Sequence, residues 1–446
     1  MKLKIDRSKQ IVQGDKKVIR AWVMYDWSNS VYQLTVLSVV FPVFYEKMTS
    51  AGGSSVVSFF GFDIINSVLY SWAIALSYLV VALFSPFFSS IADYTGRRRG
   101  FMRFFTILGA LSCGMLYFFT PSTINIGIIF FVLATIGYTG SIVFYNSFLP
   151  VIAPPEDQDR ISANGFAMGY LGGVILLLLN LAMIMKPSIF GIVDKTLPAR
   201  ISFVTVCVWW LGFSLITFLK LPKYTLGNRS KKGKTLMKGY HELKKVFQQV
   251  KSMPNLRVFL FAYLFMIMGV LNVMFMAAIY GKKELHLDDK ILIPTILLIQ
   301  LLGMVGAWMF VKISKRIGNV KSLILSSIGW ILVIFGAYLV TDALGFTIVA
   351  FFVGMVMGGS QAIARSTYSK MLPPDTHDHT SFFSFYDVME KIATVVGTFS
   401  FGIIEALTGN MRLSVLAVVG FFCISLCFFI WLNKIEQKKS VINSVS

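Results

Sequence analysis

Apolar runs of about 20 residues recur along almost the whole chain, and their length limits the possible folds more than any other feature. A segment crossing lipid has to satisfy its backbone N–H and C=O groups internally, which a helix does. The runs fall near 22–45, 66–92, 102–120, 124–149, 164–186, 201–220, 256–280, 291–313, 320–340, 345–370, 381–406 and 411–433. They leave little sequence for a water-soluble core. Only 14% of the 446 residues are charged, against about 25% in a soluble domain. The expected fold class is an all-α integral membrane protein with twelve transmembrane helices.

The formal charge of +20 would suggest nucleic acid in a soluble protein. Here the basic residues occupy alternate loops, the orientation signal of membrane insertion, and no nucleic-acid partner is expected. Arg97, Arg98, Arg99 and Arg103 lie in one such loop, and Lys312, Lys315, Arg316 and Lys321 in another. The arm at 1–21 contributes Lys2, Lys4, Arg7, Lys9, Lys16, Lys17 and Arg20. The intervening loops are nearly free of Lys and Arg, which puts both termini in the cytoplasm and requires an even number of spans. Residues 1–20 are polar and basic, and the apolar segment that follows lacks a cleavage site, so it reads as the first membrane helix.

The chain divides into a half at 22–220, a basic loop at 221–255, a second half at 256–433 and a cytoplasmic tail at 434–446. Within the loop, Leu236, Tyr240, Leu243, Phe247 and Val250 fall at helical spacing among lysines. That pattern suits an amphipathic helix on an anionic lipid leaflet, with a loose linker as the alternative.

The halves also repeat each other. At an offset of 219, Pro154-Pro155-Glu156 falls on Pro373-Pro374-Asp375, Phe166 on Phe385, and Asn146 on Arg365. At an offset of 222, Gly96 falls on Gly318, both within basic loops between second- and third-position helices. Two parallel six-helix halves joined by a long central loop resemble the major facilitator arrangement, which implies a binding site between the halves near the midplane.

Residues 89–101, SSIADYTGRRRGF, resemble the major facilitator loop signature through Asp93, Gly96, Arg97 and Arg98, with Ser89 where glycine is usual. Gly96 permits the tight turn. Asp93 can cap a neighbouring helix or pair with an arginine across the halves, latching one conformation. The segments WVMYDWSNSVY (22–32), FYNSFLPVIAPPEDQDRISANGFAMGYLGG (144–173), GGSQAIARSTYSKMLPP (358–374) and FFSFYDVMEKIATVVG (382–397) together are similar to the Unknown Major Facilitator, or vacuole-effluxer-like, family. That resemblance implies a major facilitator fold with two pseudo-symmetric six-helix halves and amino-acid-like substrates. Asp387 and Glu390 stand where that family has asparagine and a small residue.

Charges inside spans are costly in lipid and mark function by default. Asp26, Asn29 and Gln33 share one face of the first helix, and Gln361 and Arg365 lie one turn apart in the tenth. Asp387, Glu390 and Lys391 share a face of the eleventh. With Asn146 they form the expected cavity, read either as a substrate or proton site or as a salt-bridge latch. Gly165, Gly169 and Gly173, and likewise Gly354 and Gly358, are small-residue steps that let helices approach, with packing favoured over a hinge.

Neither a Walker loop, a zinc-protease motif nor a nucleophile elbow is present. No enzyme activity, cofactor or metal is expected, and His377 and His379 read as loop residues. Cys113, Cys207, Cys423 and Cys427 read as small apolar residues. The reading is a secondary transporter of a small-molecule substrate in a bacterial inner membrane. It works as a monomer, with a proton, sodium or the substrate gradient as driving force. A lipid flippase of the same fold and a non-transporting receptor are the alternatives.

Overall fold

The computed structural model describes residues 13–50, 56–194, 196–223, 235–408 and 411–445. Lys2, Lys4, Arg7 and Lys9 of the N-terminal arm and residues 224–234 of the central loop lie outside the described residues, as do the side chains of Leu236 and Tyr240.

The first helix, α1, begins at Lys16 rather than 22, where the carboxylate of Asp15 accepts the Lys17 N–H at 2.8 Å. It runs as Lys16–Val31, widens to a π-helix at Tyr32–Val40, and continues as Phe41–Thr49. Pro42 has no N–H to give the carbonyl of Ser38, so regular α-bonding fails just where the helix widens. A hairpin of β1 (Val56–Phe59) and β2 (Phe62–Ile65) follows, paired antiparallel with Phe59 opposite Phe62.

Then come α2 (Asn66–Thr95), α3 (Arg98–Met115), α4 (Ile124–Asn146), α5 (Gln158–Met185) and α6 (Leu197–Lys220). A linker helix, Thr235–Ser252, precedes α7 (Pro254–Lys283), α8 (Asp289–Ile317), α9 (Asn319–Leu339), α10 (Ala343–Met371), α11 (His379–Thr408) and α12 (Met411–Val445). Among the described residues, α2 to α10 and α12 are long and apolar enough to cross a membrane. The other two expected spans are α1, which is interrupted, and α11, which carries Asp387, Glu390 and Lys391. Several helices outrun their apolar windows: α5 starts at Gln158, not 164, and α12 continues to Val445 through the expected tail.

The halves meet where α5 packs on α8 and α10, and where α11 packs on α2 and α4. The Gly96 and Gly318 turns both hold positive φ, +66° and +88°, which a side chain would strain. The same loop of each half therefore turns at a glycine of positive φ, although ψ differs, 19° against 161°. These turns lie at one end of the bundle, called here the basic end.

Inside the second half, α8 and α10 touch backbone to backbone. A Cβ on Gly358 would stand 1.8 Å from the carbonyl oxygen of Gly303. Helices in lipid associate through such close packing, without a hydrophobic drive between them. Gly358→Ala is expected to cost about 1–3 kcal/mol through overpacking. A lowered melting temperature of the purified chain would register it, and an unchanged one would mean that the helices can separate freely.

The linker helix has a protein partner that the sequence did not show. It docks on the protein, across the ends of α2 and α11, with Val246 and Val250 buried. Lys245 pairs with Asp378 at 3.2 Å. Of the stripe residues whose side chains are described, Val250 is buried by this docking, Leu243 is partly buried and Phe247 is about half exposed.

Candidate functional site

Arg365 is buried on α10, and its partners all belong to the other half. Its Nη1 donates to Asp26 Oδ2 on α1 and to Asn146 Oδ1 on α4, both at 3.3 Å. On α5, Ser162 accepts from Nε through Oγ at 2.9 Å and from Nη2 through its carbonyl at 2.7 Å. The guanidinium also lies 4.1 Å from the ring centre of Phe166 and 5.0 Å from that of Trp22. Such a fork suits arginine and not lysine, because several donors are fixed in one plane.

Asp26 is held from a second side by the Tyr145 hydroxyl, which donates at 2.7 Å. Tyr145 is itself stacked on Trp22, whose indole N–H donates to the Tyr145 carbonyl at 2.9 Å. The Trp22–Tyr25–Asp26 stretch thus aims one carboxylate at the other half. Gly165 leaves space for it, since a Cβ there would come within 2.4 Å of Asp26 Oδ2.

Between the halves lies a cavity of about 150 Å³. Asp26, Asn146 and Arg365 line one part, and Glu390 and Lys391 another. On α11, Lys391 Nζ donates to Asp387 Oδ1 at 2.9 Å and to Glu390 Oε1 at 3.2 Å. Gln33 accepts from the Tyr138 hydroxyl and Gln361 from the Tyr170 hydroxyl, each at 2.7 Å. Asn29 is buried, lines the same space, and leaves its Nδ2 without a partner. The charges of the first, tenth and eleventh helices therefore form two clusters, Asp26 with Arg365 and Asp387 with Glu390 and Lys391.

Two clasps join the halves at the basic end. Asp93, at the end of α2, accepts from Ser381 N–H at 2.7 Å, Ser381 Oγ at 2.8 Å and Thr380 N–H at 3.2 Å. It therefore caps the N-terminus of α11, where a carboxylate is favoured. Its arginine partner is Arg98 of its own half, at 2.9 Å, and Arg98 also donates to the carbonyl of His377. Arg97 is exposed and takes no part in holding Asp93. His379, expected in a loop, opens α11 and is only partly exposed.

The second clasp escaped the sequence reading. Asp159, in the first turn of α5, pairs with Lys370 at 2.7 Å and accepts from Asn319 at 2.8 Å. Ser314 lies 3.4 Å from its other oxygen. It mirrors the first: in each, the turn between second- and third-position helices of one half meets the fifth-position helix of the other. The repeat carried that signal, since the partner of the 312–321 loop had to lie near the start of α5.

No cluster able to hold a metal ion occurs among the described residues. A family model described as "Vacuole effluxer Atg22 like" matches residues 14–441. The chain is 28% identical over 409 residues to an "Uncharacterized MFS-type transporter YxiO" of Bacillus subtilis, covering 91% of this chain and 92% of that one. It is 23% identical to "Autophagy-related protein 22" of Yarrowia lipolytica over 80% of this chain and 74% of the relative. The fucose transporter FucP in its outward conformation shares the fold at a TM-score of 0.70 and 11% identity, over 93% of this chain and 97% of that one. The human organic anion transporter MFSD10 shares it at 0.72 and 12%, over 94% and 100%.

Proposed function

The chain belongs to the vacuole effluxer Atg22-like family of major facilitator transporters, and from that premise we propose that it moves a small polar solute, an amino-acid zwitterion, by alternating access. The observation that carries the reading is Arg365, which binds Asp26, Asn146 and Ser162 of the opposite half at the edge of the inter-half cavity. The basic end faces the cytoplasm of a bacterial plasma membrane in this reading, so the conformer described is closed inward. Exposed Lys244 and Lys251 of the linker helix then lie near anionic headgroups.

A solute acts on such a machine only through different affinities for its two conformers. A carboxylate entering beside Asn29 competes with Asp26 for Arg365, while an ammonium is drawn to Glu390. Weakening the Arg365–Asp26 contact loosens the two halves from each other. Release of the two clasps then opens the basic end, and the solute leaves on the other side.

The test is thermal unfolding of the purified chain against amino acids, sugars, peptides and lipids. A ligand at 100 times its Kd stabilises the folded state by about 2.7 kcal/mol. An amino acid should raise the melting temperature of the parent and leave Arg365→Ala unmoved. Stabilisation by lipids alone would favour a flippase and sink this reading.

A further inference from the structure

We propose that Asp387, Glu390 and Lys391 on α11 form the coupling-ion site and that the ion is a proton, bound on Asp387. The inference rests on the transporter reading and adds its energy source.

The triad sets two carboxylates around one ammonium, Lys391 Nζ lying 2.9 Å from Asp387 Oδ1 and 3.2 Å from Glu390 Oε1. Its formal charge is therefore −1 when all three ionise. The Asp26–Arg365 pair has no such excess. Asp387 and Lys391 are buried while Glu390 is about a third exposed to the cavity, so the costly place for the surplus charge is Asp387, where an uncompensated buried charge costs several kcal/mol.

The surplus is localised. Asp387 is 2% exposed, and its Oδ2 is buried without a hydrogen-bond partner. Both oxygens of Glu390 are occupied, one by Lys391 and the other by the Tyr263 hydroxyl at 3.4 Å. The site thus offers one bare carboxylate oxygen. A sodium ion, being a hard cation, needs several oxygen ligands around it. A proton needs one oxygen, and on Oδ2 it makes the triad neutral.

Other groups do not relieve the charge. Tyr78 on α2 lies with its ring 5.7 Å from Lys391 Nζ, and Tyr386 on α11 stacks on Tyr263 of α7 at 4.1 Å. Tyr138 on α4 shares the cavity and is bonded to Gln33. Arg365 is committed to Asp26, Asn146 and Ser162. Arg412 of α12 pairs with Glu284 and Lys245 of the linker helix with Asp378, both away from the triad.

Glu390 and Lys391 line the cavity, so a proton reaches Asp387 past them from the side to which the cavity opens. When the basic end opens, the triad meets cytoplasmic water and Asp387 Oδ2 releases the proton, leaving all three groups ionised.

The experiment is pH-difference infrared spectroscopy of the reconstituted full chain, following the carbonyl band of a protonated carboxyl group. The parent should show a titrating band that is indifferent to exchange of choline for sodium. Asp387→Asn and Glu390→Gln should each lose it, because either substitution leaves one acid to one ammonium. Asp26→Asn, which leaves the triad intact, should keep it. A parent without the band, a band surviving in either triad variant, or one displaced by sodium would overturn the proposal. No transported solute enters the measurement, so its failure would leave the transport reading standing.

Discussion

Replacing Arg365 with alanine is expected to abolish transport and to destabilise the chain by about 3–5 kcal/mol, the cost of leaving one member of a buried pair alone. Asp26 would lose its only cationic partner among the described residues, keeping the Tyr145 hydroxyl. Asn146 and the Ser162 carbonyl would lose their guanidinium contacts as well. Arg365→Lys should recover stability in part and transport hardly at all, since one ammonium cannot span acceptors on α1, α4 and α5. Unfolding in detergent and uptake into proteoliposomes would separate the two effects. Lysine restoring full transport would mean that charge alone matters, and the role given to the planar fork would fail.

Asp93→Ala should produce the second large effect, on conformation. Its carboxylate takes four hydrogen bonds, three of them from Thr380 and Ser381 across the halves. Bonds to a charged group contribute about 1.5–3 kcal/mol each. The cross-half bonds exist only while the basic end is closed, so their loss falls on that conformer. A shift of about 3 kcal/mol moves the equilibrium roughly 100-fold. Spin labels at Arg97 and Asp375, exposed positions in opposite halves, would report it in a chain freed of its four cysteines. The parent should give one short distance and Asp93→Ala a second, longer population. An unchanged distribution would show that the Asp159–Lys370 clasp suffices.

Hydropathy located the helices because it reports which residues face lipid, and lipid contact dominates this chain. Loop glycines located the equivalent turns, since only glycine holds positive φ there without strain. Asn146 and Arg365 were paired by the repeat before any geometry and stand 3.3 Å apart. Partner choice was less legible. Asp26, Arg365, Asp387, Glu390 and Lys391 read as one group, because sequence spacing orders residues on their own helix and says nothing of how helices cross. Tyr145 and Ser162 were passed over for the same reason: a tyrosine or serine in an apolar run carries no signal until a charge is brought against it. The linker helix's contact with the ends of α2 and α11 was not legible either, because an apolar residue such as Val250 can face lipid or protein equally well.

Counterflow in proteoliposomes tests the central claim most directly. Vesicles loaded with an unlabelled amino-acid mixture are diluted into single labelled amino acids, with the parent chain or Arg365→Ala in the membrane. Exchange requires only that a site be exposed alternately to each side, and no ion gradient. At least one amino acid should accumulate transiently through the parent and none through Arg365→Ala. Absence of exchange by a folded, reconstituted parent across the whole set, or equal exchange by the variant, would contradict the account.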